Sequence, residues 1–405
     1  MKKNPYKKFV LLFFLTFLIP AFAIACFNWI IDPFGYFLSP PIKNVNFIKI
    51  SLEKQQRLHK SLEITRQKPE VILLGSSRVM AGMDPEDVYP LAGGSVYNAG
   101  FAGASIEEIY YYFEHALHHQ PQLKRVLLGI DLFAFGKNKR PQKDFSVSKL
   151  GGGTFDLKHF LAILWSKTTL KSSYETLQAN YFKEPSPFFL PTGLSNPVLV
   201  ESPQNEFLTK GDLEFIKIIF QNTDFYYGFQ LGQDKIDWFK RLVGRCQEKR
   251  IALNVFICPS KAIYWESLHQ KGLWPDLEKL KRQISAIYPV WDFSGFNCVT
   301  TETIKKEGAP LYYECSHFRP YTGRLILAKL FGKEEGPADF GYYLNSESVE
   351  EALKQIKQDR LNWLETKPPV IAELSGLQIE GEGRYFNRRA GESDEHALKW
   401  KLLNK

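Results

Sequence analysis

The stretch VILLGSSRVMAGMDP, Val71 to Pro85, decides the fold. Four aliphatic residues run unbroken to Gly75, the pattern of a short strand buried on both faces of a parallel sheet. Ser76 and Ser77 follow, then Arg78 and a helical turn. In open parallel sheets, ligands gather at the carboxyl ends of the strands. Two hydroxyls at such an end either cap a helix or take part in chemistry.

The neighbouring segments continue the pattern. SVYNAG (95–100) reads as a second strand ending in glycine. In the segment after it, Ser105 and Glu108 form a capping-box pair. Ile106, Ile109, Tyr110, Phe113 and Leu117 then share one helical face, and Pro121 closes the helix. RVLLGID (125–131) is a third buried strand. Strand, crossover, strand, helix, strand implies a parallel sheet with helices on its faces. After residue 230 the rhythm returns. DKIDWFKRLVGRCQEKR (234–250) is an amphipathic helix, IALNVFICP (251–259) a fourth strand, WPDLEKLKRQISAIYP (274–289) a helix and VWDFSGF (290–296) a fifth strand. PLYYECSHFRPYTGRLILAKLFG (310–332) is a loop running into a helix. A polar helix over 47–67 leads in, and another covers 347–365. Residues 376–405 read as a charged peripheral tail.

Residues 137–230 interrupt this order with loop-like stretches, a helix expected near 156–180, and the proline-rich KEPSPFFLPTGLSNP. So long an insertion is expected to be a functional cover over the sheet.

The N-terminus carries Lys2, Lys3, Lys7 and Lys8, then no charge from Phe9 to Ile31. Those 23 residues would span about 34 Å as a helix, enough for a hydrocarbon core of about 30 Å. Lysines before the span and Asp32 after it predict a cytoplasmic N-terminus, with the bulk of the chain outside the inner membrane. A cleaved signal at Ala21-Phe22-Ala23 and a lipoprotein-like box at Ala23–Cys26 are the alternatives, and both also predict export. The predicted division is 1–32 anchor, 33–69 lead-in helix, 70–335 α/β domain with 137–230 as insertion or cap, and 336–405 C-terminal helix and tail.

Composition narrows the function. The chain has 405 residues, a net charge of +8 and a pI near 9.0, with 15% aromatics. It has no basic stripe, helix-turn-helix or zinc spacing, which argues against nucleic acid as a partner. The mild positive charge suits work beside anionic lipid or acidic glycan. Cys246, Cys258, Cys298 and Cys315 lack CxxC spacing and read as small buried hydrophobes or as disulfide partners.

Chemistry gathers at the predicted strand ends. Gly100 and Gly103 can bring backbone N–H groups close to a substrate. Asp131 ends the third strand. Far downstream, Glu314 stands three residues before His317, so one loop can supply a base and its orienting carboxylate to a serine nucleophile.

This ordered set resembles the SGNH (GDSL-like) hydrolase superfamily. Within it, the set is most similar to the membrane-anchored envelope branch of alginate O-acetyltransferase and D-alanylation-type proteins. The resemblance covers about residues 70–135 and 250–332. It implies a three-layer α/β/α sandwich with a central parallel sheet, Ser77 as nucleophile, His317 as base and Glu314, in place of the usual Asp, as orienter. It also implies an oxyanion hole from the N–H groups of Ser77 and Gly103, with Gly100 the other choice. Asp131 stands where the family has an oxyanion-donating asparagine. An ionised carboxylate would repel the oxyanion, so Asp131 is protonated, has another role, or the donor comes from elsewhere.

Further candidates are the cations Arg78, Lys261 and Arg319 for substrate binding, with Arg78 equally able to pair with Asp131 or Glu314. Ser260 lies near the same mouth, and Asp292 is a second possible orienter. His115, His118 and His119 have helical metal-ligand spacing but no evident carboxylate, so no metal or cofactor is expected. The expected function is an esterase or O-acyltransferase on an envelope polysaccharide, working beside a membrane acyl-donor protein. The alternative is a degenerate site serving glycan binding or assembly.

Overall fold

The computed structural model describes residues 5–150, 157–183, 186–199, 210–220, 225–226, 228–303, 310–368, 370–371 and 374. The expected tail over 376–405 lies outside them. Helix α1 (Pro5–Ile31) leads to α2 (Gln56–Gln67), β1 (Val71–Leu74), α3 (Ser77–Gly82), α4 (Pro85–Ala92), β2 (Val96–Asn98), α5 (Ile106–His119) and β3 (Arg125–Ile130). The interrupting segment holds α6 (Leu157–Trp165), α7 (Lys167–Phe182) and α8 (Lys210–Phe220). Next come α9 (Gln233–Lys249), β4 (Ala252–Ile257), α10 (Ala262–Gln270), α11 (Trp274–Ile287) and β5 (Val290–Asp292). The last elements are α12 (Pro320–Leu330), β6 (Tyr342–Leu344) and α13 (Val349–Glu365).

The protein is α/β, with one six-stranded sheet in the order β2-β1-β3-β4-β5-β6. Every pairing is parallel except β5 with β6. The strands are aliphatic on both sides because both faces are covered. Ile72, Leu74, Val126, Leu128 and Val255 enter one core with α5, α9 and α11. Val71, Leu73, Leu127 and Phe256 enter a second with α3, α4 and α12. The order reverses between β1 and β3, and such a reversal opens a crevice at the carboxyl ends of the strands.

Three expectations need adjustment. The helix foreseen over 156–180 is two helices, broken at Ser166, whose hydroxyl accepts the Thr169 N–H at 2.9 Å. The antiparallel edge β6 has only three residues, too few for periodicity to register. Helix α10 follows β4 where the sequence offered only a strand end.

Helix α1 has mean hydropathy 2.7 over its most apolar window and is long enough to cross a membrane. A helix ends with unpaired carbonyls, and here the following loop pairs them. Ser39 Oγ donates to the Trp29 carbonyl. Asn46 Nδ2 donates to Ile30 O at 2.6 Å, and Lys49 Nζ to Ile31 O and Asp32 O at 3.3 and 2.8 Å. Helices α6 and α7 pack beside the same end of α1. The interrupting segment is therefore split in use: its first half embraces α1, and α8 covers the mouth of the sheet.

Burial drives the imidazole pKa values of His59 and His115 down from 6.5, to about 3 and about 4. For His59, Lys60 and Arg66 add to the effect. Below pH 6.5 the unfolded chain takes up protons that the fold refuses, so stability falls with pH until the folded pKa is reached. The slope is about 1.4 kcal/mol per pH unit for each group. His59 stacks on Phe189 at 5.2 Å, and His59→Phe keeps that stack. The variant's denaturation midpoint should drop less than the wild type's between pH 7 and pH 4.5. Equal drops would show that His59 is not a source of acid sensitivity.

Candidate active site

The two serines divide their tasks. Ser76 is the N-cap of α3, its Oγ accepting the Arg78 N–H at 3.2 Å. Ser77 opens the helix, and its Oγ lies 2.7 Å from His317 Nε2, across 240 positions of sequence. Gly75 makes the strand-to-helix turn possible. A Cβ there would lie 2.4 Å from Val79 Cγ2 and 3.0 Å from Gly129 O.

His317 sits at the end of a tight turn flanked by the Tyr312–Phe318 bridge. Glu314 organises that turn. Its carboxylate accepts the backbone N–H groups of Ser316 and His317 at 2.6 and 2.9 Å, and also meets His317 Nδ1. With the Nδ1 proton directed at Glu314, Nε2 is left as an acceptor facing Ser77. The extra methylene of Glu relative to Asp is absorbed because the carboxylate folds back over its own loop.

Arg78 locks this turn to the sheet. Its Nε donates to Ser316 O at 3.0 Å, Nη2 donates to Ser316 Oγ at 3.0 Å, and Nη1 pairs with Asp131 Oδ1. The guanidinium lies 4.5 Å from the Tyr264 ring centroid. Both members of the pair are 2% exposed. Burial is the largest influence on Arg78 and opposes its charge, but Asp131 together with Tyr264, Tyr226 and Cys258 outweighs it and holds the guanidinium pKa well above its ordinary value. Asp131 thus anchors Arg78, and Arg78 in turn holds the residue next to His317.

The glycine loop after β2 distinguishes its two candidate donors. Gly100 N–H goes to Asn98 Oδ1 at 2.9 Å, Phe101 N–H to Gly75 O at 3.3 Å and Ala102 N–H to Gln56 Oε1 at 2.9 Å. Among the described residues, the N–H of Gly103 meets no acceptor, nor does that of Ser77. Gly103 is held at φ +60°, the left-handed region that favours glycine. Behind this loop the capping box of Ser105 and Glu108 is complete. Glu108 is also paired with Arg57 at 2.6 Å, and Arg57 donates to Ala102 O at 2.9 Å. The lead-in helix α2 therefore braces the loop.

The other cations have structural partners. Lys261 pairs with Asp212 of α8 at 3.4 Å and with Glu302 at 3.2 Å, fastening α8 to the rim. Half-buried Arg319 lies 4.3 Å from the Tyr313 ring centroid and donates to Tyr312 O at 3.2 Å. Ser260 Oγ donates to Ser316 O at 3.3 Å. Asp292 pairs with fully buried Lys281 at 2.8 Å and so does not orient His317. His115 Nε2 contacts Ser61 O at 2.9 Å and Thr65 Oγ1 at 3.2 Å. Among the described residues, no group of three or more His, Cys, Asp or Glu is placed to hold a metal. All five cysteines are free thiols.

Sequence reading missed several positioning residues. Asn98 Nδ2 donates to Val79 O and Met83 O at 2.8 and 2.7 Å, tying the end of α3 to β2. Phe215 of α8 sets its ring edge-on to His317, centroids 5.1 Å apart. Gly82 and Gly323 let α3 and α12 touch backbone to backbone. A Cβ on Gly323 would lie 2.0 Å from Gly82 O, and one on Gly82 would lie 2.2 Å from the Phe318 ring. Helix α3 carries Ser77, and α12 starts just beyond His317. Gly323→Ala should therefore cost about 1–3 kcal/mol of stability and lengthen the Ser77–His317 contact. A thermal melt and an ester assay read both effects. An unchanged melt and rate would mean that the helix contact does not set the site.

The arrangement can do nucleophilic chemistry: a hydroxyl, an imidazole acceptor and a carboxylate on the far ring nitrogen. Compared with protein-family models and with curated proteins, the chain has no match in either.

Proposed function

We propose that the protein is a membrane-anchored SGNH-type acyl-ester enzyme, an esterase or O-acyltransferase, built on a three-layer α/β/α domain. The observation that carries this reading is the 2.7 Å contact of Ser77 Oγ with His317 Nε2, with Glu314 on Nδ1. The two cores on opposite faces of the sheet support the three-layer reading.

Ser77 Oγ attacks the acyl carbonyl carbon as its proton passes to His317 Nε2. The carbonyl oxygen takes up the electron pair and is received by the N–H groups of Ser77 and Gly103. Glu314 stabilises the imidazolium. Collapse expels the alcohol, which takes the proton from His317, and leaves an acyl-Ser77 ester. Water or a sugar hydroxyl then attacks that ester by the same route in reverse. Water makes the protein an esterase, and an envelope polysaccharide hydroxyl makes it an acyltransferase.

The pairing of Asp131 with Arg78 supports a role for this carboxylate other than facing the oxyanion. The apolar length of α1 and the lysines before it support a cytoplasmic N-terminus and an extracytoplasmic domain. The test is turnover of an activated acyl ester by the full chain and by Ser77→Ala; equal rates would overturn the reading.

A further inference from the structure

We infer that α6, through Leu157, Leu161 and Trp165, is a membrane-embedded collar on α1, so that the domain sits in the outer leaflet rather than hanging from a tether. This rests on the reading of α1 as a membrane span. A hydrocarbon core of about 30 Å takes about 20 helical residues, and counted from Phe9 it ends near Asn28. Asn28 is fully buried. Its Nδ2 donates to Leu164 O at 2.8 Å, and its Oδ1 accepts Ser173 Oγ at 2.9 Å. The Trp165 indole, at the end of α6, reaches below that level. Trp165 Nε1 donates to Ala21 O at 2.8 Å. Ala21 lies seven residues before Asn28, about 10 Å deeper along the helix.

One exposed stripe of α6 fits acyl chains, and the exposed Lys158 beside it lies at the end of the helix away from the α6–α7 turn. Leu157, Leu161 and Trp165 are 57%, 36% and 47% exposed at successive i+4 positions, one apolar stripe. An open groove lined by Leu18, Ile19, Ala21, Phe22 and Trp165 joins that stripe to the bare flank of α1. In lipid an indole N–H needs an internal partner, and the Ala21 carbonyl supplies one. The opposite side of α6 is committed to protein, with Ile163 packed on Phe34 and Leu58. The occupant of the stripe is therefore the hydrocarbon that already surrounds α1.

The collar also fixes the site. Lys49 grips the end of α1, and Gln56 grips Ala102 in the glycine loop. The seven steps between them, mostly 3₁₀ helix, cover about 14 Å at 2.0 Å per residue. The mouth is thereby held close to the bilayer surface.

The test places an environment-sensitive NBD label on the full chain in phosphatidylethanolamine–phosphatidylglycerol nanodiscs. Cys26→Ser and Cys298→Ser remove the two partly exposed thiols. Single labels go at Leu161→Cys, at Phe13→Cys on the bare part of α1, and at Lys171→Cys on the exposed face of α7. The labels at 13 and 161 should be quenched several-fold more by doxyl lipids than the label at 171, which should be quenched by aqueous iodide. If 13 is lipid-quenched while 161 behaves like 171, the collar is refuted and the anchor stands. If 13 is not lipid-quenched, the anchor reading and the collar both fail. A label at 161 shielded from both quenchers means that protein, such as a second copy, covers the stripe, which also overturns the inference.

Discussion

Ser77→Ala and His317→Ala are each expected to lower kcat for an activated acyl ester by about 10⁴-fold or more, and the double variant to be no slower than either single one. The three groups act as one unit. Without the imidazole, Ser77 keeps its proton and is a poor nucleophile; without Ser77, the imidazole has nothing to activate. Glu314→Gln should fall between wild type and these variants. Ser316 N–H goes to Oε2 and His317 N–H to Oε1, so the single amide oxygen of the variant can keep only one of these two bonds. It carries no full charge to stabilise an imidazolium, and its NH₂ can reverse the tautomer that leaves Nε2 facing Ser77. Near-native melts for all variants, measured alongside, would separate lost chemistry from lost fold. Residual turnover in Ser77→Ala close to wild type would remove the serine from the reaction and the proposed function with it. Rate losses that multiply in the double variant would mean that the two side chains act independently, contrary to a shared proton path.

Local rules made much of this legible. VILLG and RVLLGID announced buried parallel strands because a sheet covered on both faces requires unbroken aliphatics. The Ser105–Glu108 capping box was legible because its partners are three residues apart. Glu314 and His317 were legible as a pair for the same reason. What failed to show was long-range or short-lived in sequence. Three residues of β6 carry no period. Gly82 and Gly323 are ordinary glycines until two helices meet at them. The apolar pattern of α6 is the same whether it faces a protein core or lipid, so the sequence suggested a cover where the chain instead embraces α1. The partner of Arg78 was one choice among three, and only the fold selects Asp131.

That selection sets up the second large effect. Asp131→Ala is expected to destabilise the protein by about 3–5 kcal/mol, because it leaves a buried guanidinium with no counter-charge. Asp131 Oδ1 takes Nη1 of Arg78, while Oδ2 has no hydrogen-bond partner among the described residues; the guanidinium is therefore the main claim on this carboxylate. Replacing the whole pair with Arg78→Met and Asp131→Leu should recover most of the stability, since apolar groups of similar volume do not need pairing. It should not recover activity, because Ser316 then loses the donors at 3.0 Å that hold the turn before His317. Asp131→Asn tests the reading most sharply. If Asp131 occupied an oxyanion donor position, the amide would supply the missing N–H and turnover would rise. If Asp131 anchors Arg78, the amide weakens the anchor and turnover falls together with the melting temperature. A faster, undiminished Asp131→Asn enzyme would show that the carboxylate faces the substrate and that Arg78 is held by something else.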